Sequence, residues 1–76
     1  MTEYRLDITG LICPMTFVKT KLRLEEMAIG DLLVIRIRDP EARLNVPRSL
    51  RDHGQTVLEE RHVDDGCVEL VVRKER

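Results

Sequence analysis

Cysteine, aromatic side chains and surplus charge are all scarce in this 76-residue chain. Each scarcity excludes a class of function. The two cysteines, Cys13 and Cys67, lie far apart. They form neither a disulfide framework nor a zinc pattern, which needs about four ligands at short spacing. His53 and His62 do not complete such a set and read as surface residues. Tyr4 and Phe17 are the only aromatic residues, which argues against a base-stacking surface. Thirteen Lys and Arg against 14 Asp and Glu leave a net charge of −1. A general nucleic-acid binder is usually clearly basic, so direct nucleic-acid binding is not expected. No apolar run reaches the roughly 18 residues of a membrane span, and the start lacks the charged and apolar regions of a secretory signal. The expectation is a cytoplasmic protein with reduced thiols and no membrane contact. Paired carboxylates, a Ser/His/Asp set, a phosphate-cradling glycine loop and a metal cluster are all missing. Neither a conventional pocket enzyme nor a cofactor or metal is therefore expected.

What is present is a dense alternation of short elements, read as one domain over residues 1–76. In "EYRLDI" (3–8), Tyr4, Leu6 and Ile8 alternate with charged residues, which predicts a half-buried strand. "TGLIC" is a loop with Gly10 as its flexible point. From Pro14 to about Met27 the pattern is helical, with Pro14 at the first helical position. Phe17, Thr20, Leu24 and Met27 share one side, and Met15, Val18 and Leu22 form a neighbouring stripe, giving a broad apolar face. "DLLVIRIR" (31–38) is apolar on both sides and reads as an interior strand. "DPEA" reads as a turn before a short second helix, with Asn45 as its cap, Pro47 near its first turn and Gly54 at its end. "QTVLEERHV" and "CVELVVRK" read as a hairpin around the tight turn "DDG" at 64–66. The order β-α-β-α-β-β predicts an α+β fold, a two-layer α/β sandwich whose first two strands are parallel.

Cys13 is the residue whose placement invites chemistry. At a helix start, a sulfur lies against unpaired N–H groups and the positive end of the helix dipole, an environment that favours the thiolate. Lys19, Lys21 and Arg23 occupy the first half of this helix and Glu25 and Glu26 its end, the reverse of what the dipole favours. A lone cysteine is more often a small buried hydrophobe, and that is the reading for Cys67. A basic helix face is commonly just a solvated one.

"LDITGLICPMTFVKTKLRLEEM", followed by "GD", "DP", "VP" and "HG", resembles the TusA-like (SirA-like) sulfur-carrier family over essentially the whole chain. The family pattern of Asp, Gly and Cys-Pro-x-Pro matches Asp7, Gly10, Cys13 and Pro14; Gly30, Asp39-Pro40 and Pro47 match further on. The resemblance implies a four-stranded mixed sheet with two helices on one face. It also implies that Cys13 carries sulfur as a persulfide. The donor would be a cysteine desulfurase or a rhodanese-like protein, and the acceptor a downstream thiol-bearing protein. The pathways implied are tRNA thiolation, molybdenum-cofactor formation and sulfur oxidation.

Thr16 stands where the family has its second proline. A threonine restores a backbone N–H that proline lacks, and the expectation is that this N–H, and its hydroxyl, serve the Cys13 sulfur. Gly10, Pro14 and Thr16 are thus the expected supports of the site. Leu11, Ile12, Met15, Lys19, Lys21 and Arg23 are the expected docking surface of a monomeric carrier. Burial against the sheet is the competing reading for Leu11 and Ile12. The absence of Cys-x-x-Cys disfavours dithiol exchange. The alternative function is a binding or regulatory module of the same fold in which Cys13 transfers no sulfur.

Overall fold

The computed structural model describes residues 2–64 and 66–76. The elements are β1 (Glu3–Asp7), α1 (Met15–Glu25), β2 (Leu32–Ile37), α2 (Pro40–Asp52), β3 (Thr56–Asp64) and β4 (Cys67–Arg73). They form one mixed sheet in the order β1-β2-β4-β3. β1 runs parallel to β2, with Tyr4 opposite Leu33 and Leu6 opposite Ile35. β4 runs antiparallel to both β2 and β3. β2, apolar on both faces, is an interior strand as its pattern requires. The turn expected at 64–66 includes Asp65, which lies outside the described residues.

Strand alternation decides which face is covered. Leu33, Ile35 and Ile37 pair with Val72, Leu70 and Val68, so all six point to one side. There they form a single buried cluster with Leu24 and Met27 at the end of α1 and beyond it, and with Ala42, Val46 and Leu50 of α2. Both helices therefore lie on this face, and the fold is the expected two-layer α+β sandwich. Cys67 alternates to the opposite face of β4 and is buried there.

α2 begins five residues before the expected Asn45 cap. "DPEA" is not a turn; it is the start of the helix. Asp39 is the N-cap, its carboxylate accepting the Ala42 N–H at 3.0 Å, with Pro40 opening the helix and Glu41 in its first turn. An aspartate cap followed by proline at the first helical position satisfies two orphan amides at once, one by accepting it and one by lacking it. Asn45 is therefore interior, and Pro47 lies inside the helix. At the other end Gly54 adopts φ +85°, its N–H donating to the Arg51 carbonyl while Gln55 N–H donates to that of Leu50. This pair of bonds is a Schellman closure.

α1 differs from expectation in what it buries. Thr16 and Thr20 are fully buried, with Leu24, and Phe17 packs partly against the core. Met15, Val18 and Leu22 are not part of the buried face; they are 52%, 41% and 55% exposed. The small Thr16 and Thr20 let this side of the helix approach the sheet, and the larger apolar stripe is rotated out.

Candidate functional site

The chain reaches Cys13 through a tight sequence of bonds after β1. Asp7 accepts both the backbone N–H of Thr9 (2.9 Å) and its hydroxyl (2.7 Å). Those two bonds, the backbone one foremost, lower the Asp7 carboxyl below its ordinary 3.8. Leu11 N–H donates to the Ile8 carbonyl at 3.1 Å. Gly10 does not have the role assigned to it. Its φ is not left-handed, and a Cβ there would meet nothing within 4 Å. Asp7 and Thr9 bond across the turn, and position 10 has room for a Cβ.

Cys13 precedes the cap position instead of occupying it. Pro14 is the N-cap of α1, with φ −93° and ψ 2°, so it is not at the first helical position. The Cys13–Pro14 peptide bond is cis. No side chain caps the helix, and no acidic residue lies in its first turn. The amides expected to serve the sulfur are used by the main chain. Thr16 N–H donates to the Ile12 carbonyl at 3.3 Å, and Phe17 and Val18 N–H both donate to that of Pro14, at 3.1 and 3.2 Å. The Thr16 hydroxyl is buried with no hydrogen-bond partner among the described residues. Thr16 supports the site through packing and through its bond to Ile12, not as a donor to sulfur.

Cys13 is half-buried and its thiol is free, as is that of Cys67. Cys13 sits at the start of the helix layer, and Cys67 on the sheet face turned away from that layer. The two thiols are not joined to each other.

The remaining expected residues separate into three settings. Ile12 is 70% exposed and, with Met15, Val18 and Leu22, forms an apolar strip that begins beside Cys13 and runs down α1. Lys19 borders this strip in a shallow groove with Arg5, Asp7 and Leu22. Leu11 packs on the core. Lys21 is on the other flank, in a cleft toward α2 with Phe17, Glu25 and His53. Arg23 lies over the Tyr4 ring, 5.3 Å from its centroid, and 3.8 Å from Glu26. It also lines the groove that holds Lys19.

One residue of the site was not singled out from the sequence. Asp39 Oδ2, which caps α2, also accepts the Cys13 N–H at 3.4 Å. The signal for its first role was the Asp-Pro pair. Its second role spans 26 residues and has no local signature.

With this geometry in place, comparison with known proteins is informative. The family model described as sulfurtransferase TusA matches residues 4–74. A candidate sulfur carrier protein of Archaeoglobus fulgidus is 41% identical over 69 residues, covering 91% of this chain and 78% of the relative. The candidate sulfur carrier protein YedF of Escherichia coli is 35% identical over 57 residues, covering 75% and 74%. The crystal structure of a SirA-like protein from Desulfitobacterium hafniense superposes with a TM-score of 0.82 at 20% identity, covering 96% of this chain and 99% of that one. At that identity the likeness establishes the fold.

Proposed function

The chain belongs to the TusA sulfurtransferase family, and we propose that it is a sulfur carrier in which Cys13 accepts sulfane sulfur as a persulfide and passes it to an acceptor protein. The observation that carries this reading is a free, half-buried thiol just before α1, in a chain whose relatives are named for sulfur carriage. The Cys13 thiolate attacks the outer sulfur of a donor persulfide. A new S–S bond forms to Cys13 as the donor's S–S bond breaks. The electron pair of the broken bond leaves on the donor as a thiolate, and the proton stays on the outer sulfur as that sulfur moves to Cys13. At the acceptor the same displacement runs in the other direction, so no external oxidant or reductant is consumed. A resolving cysteine close to Cys13 would convert the persulfide to a disulfide; that Cys67 is buried, on the strand face turned from the helices, supports a persulfide that persists.

The donor is a cysteine desulfurase or a rhodanese-like protein, and the acceptor a thiol-bearing protein of a sulfur relay such as tRNA thiolation. Partners approach along the strip Ile12, Met15, Val18 and Leu22, with Lys19 at its border to meet acidic groups. The carrier works in the cytoplasm, where thiols stay reduced; no helix among the described residues is long and apolar enough to cross a membrane.

Incubation with a cysteine desulfurase and cysteine, followed by intact-mass spectrometry, tests the reading. Wild type gains about 32 Da, one sulfur atom, and Cys13→Ser gains nothing. A wild-type protein that gains no sulfur is instead a binding or regulatory module.

A further inference from the structure

We propose that Asp39 is a positioning residue for Cys13, holding its main chain so that the sulfur is presented in one place. The proposal deepens the carrier reading and rests on it. A single carboxylate oxygen, Asp39 Oδ2, takes two amides: Ala42 N–H at 3.0 Å, within its own helix, and Cys13 N–H at 3.4 Å, from the other. It therefore ties the residue before the start of α1 to the cap of α2. Pro40, which follows, has no N–H to compete for that oxygen.

The consequence for the sulfur follows from what else is fixed nearby. The carbonyl of Ile12 is held by Thr16 N–H at 3.3 Å, and that of Pro14 by Phe17 and Val18. Both neighbours of Cys13 are thus anchored to α1, and Asp39 anchors the amide of Cys13 itself to the other helix. With the main chain fixed on both sides and at the residue, rotation about the Cα–Cβ bond is what is left to place Sγ. Sulfur exchange is an in-line displacement, and loss of alignment of about 1 Å at a reacting centre can lower a rate by roughly a hundredfold. α1 provides no side-chain cap for this purpose; the anchor comes from α2.

Three substitutions separate this role from helix capping. Serine caps a helix about as well as aspartate, but its hydroxyl is one bond shorter and reaches Ala42 N–H without reaching Cys13 N–H. Asparagine keeps both the cap and the reach. Alanine keeps neither. Each protein is loaded with sulfur by a cysteine desulfurase and cysteine, separated, and mixed with excess glutathione, and the release of about 32 Da is timed by mass spectrometry. Asp39→Ser should release sulfur about tenfold more slowly than wild type, with its thermal midpoint close to wild type. Asp39→Asn should stay near the wild-type rate. In ¹⁵N–¹H spectra the Cys13 amide resonance should shift upfield in Asp39→Ser and Asp39→Ala and hold its place in Asp39→Asn. Release at the wild-type rate by Asp39→Ser, or an unmoved Cys13 amide in that variant, overturns the proposal. A wild-type protein that cannot be loaded overturns the carrier reading instead; the amide resonances of the same variants then decide whether Asp39 holds Cys13.

Discussion

α1 and α2 lie side by side on one face of the sheet, yet only α2 is finished at both ends, and of its large apolar residues Leu44 alone is exposed. α2 has an aspartate cap, a proline and a glutamate at its start and a left-handed glycine at its end. Its Ala42, Val46 and Leu50 are all in the core. α1 starts at an uncapped proline beside a free cysteine and leaves Met15, Val18 and Leu22 in solvent. At its C-terminal end Lys74 Nζ, from outside the helix, donates to the carbonyls of Leu24 and of Met27 just beyond it, at 2.7 Å each. One helix is built to hold the fold, and the other gives up some of that to present a thiol and an apolar surface. On the proposed carrier reading, departures from local helix rules mark the working element.

The sharpest way to break this contrast is to truncate a leucine on each helix. Leu50 of α2 is 1% exposed and Leu22 of α1 is 55% exposed. Leu50→Ala should cost about 2–5 kcal/mol, from lost transfer energy plus a cavity. Leu22→Ala should stay within about 0.5 kcal/mol in stability, while weakening docking of a sulfur donor. Urea unfolding measures the first pair of numbers and a pull-down or titration with a desulfurase the second. A Leu22→Ala variant destabilised as much as Leu50→Ala would mean that the α1 strip is structural.

Much of this difference could not be read from residue order, and the reasons are physical. The strands were legible because alternation has one interpretation once one face is covered: Tyr4, Leu6 and Ile8, or Val68, Leu70 and Val72, must face the same way. Helical periodicity is more ambiguous. Met15, Val18 and Leu22 (steps of three and four) fit a helical face as well as Thr16, Thr20 and Leu24 (steps of four) do, and hydrophobicity alone favours the first set. What selects the buried side is close approach to the sheet, which small threonines permit. The start of α2 was missed because Asp-Pro serves both turns and helix starts. Glu41 and the apolar residues Ala42 and Val46 that follow were the distinguishing signal. Cys13 was legible because a thiol before a proline at a helix start is a local oddity. Asp39 as its anchor was not, because a contact across 26 residues leaves no trace in either segment.

The next effect down compares two glycines that flank the helices. Gly54 closes α2 at φ +85°, with the Arg76 side chain packed over it, whereas Gly10, before α1, has ordinary φ and open space around it. Gly54→Ala should cost about 1–2 kcal/mol, the penalty of a Cβ in the left-handed region. Gly10→Ala should be neutral or stabilising by up to about 1 kcal/mol, because it restricts the unfolded chain without straining the folded one. Thermal unfolding of the two variants checks both signs.

Within α1, the two buried threonines allow a finer comparison. Thr20 Oγ1 donates to the Thr16 carbonyl at 2.8 Å, while Thr16 Oγ1 has no partner among the described residues. Valine in place of threonine removes each hydroxyl at nearly constant shape. Thr16→Val should therefore be neutral or stabilising by up to about 1 kcal/mol, since a buried unsatisfied group is removed. Thr20→Val should lose about 0.5–1.5 kcal/mol, the net contribution of one hydrogen bond. Equal costs in the two variants would show that the Thr16 hydroxyl is bonded in solution, for instance to water.

The smallest effect concerns the loop that leads into α1 and is a matter of pH. The Asp7 carboxylate accepts the N–H and hydroxyl of Thr9, and these bonds hold its folded-state value below the ordinary 3.8. A depressed carboxyl contributes its stabilisation fully above the unfolded value and loses it as pH falls through the folded one. The Asp7–Thr9 turn should thus be intact at neutral pH and loosen only below 3.8, as protonation removes the charge that both donors face. Because Asp7 is exposed, the change should be confined to the loop and leave the sheet in place. Amide exchange at Thr9 and Leu11 across the acid range measures it. Asp7→Asn should make Thr9 exchange insensitive to pH once the intrinsic exchange rate is divided out. A wild-type Thr9 amide that loosens well above pH 3.8 would mean that some other group governs the loop.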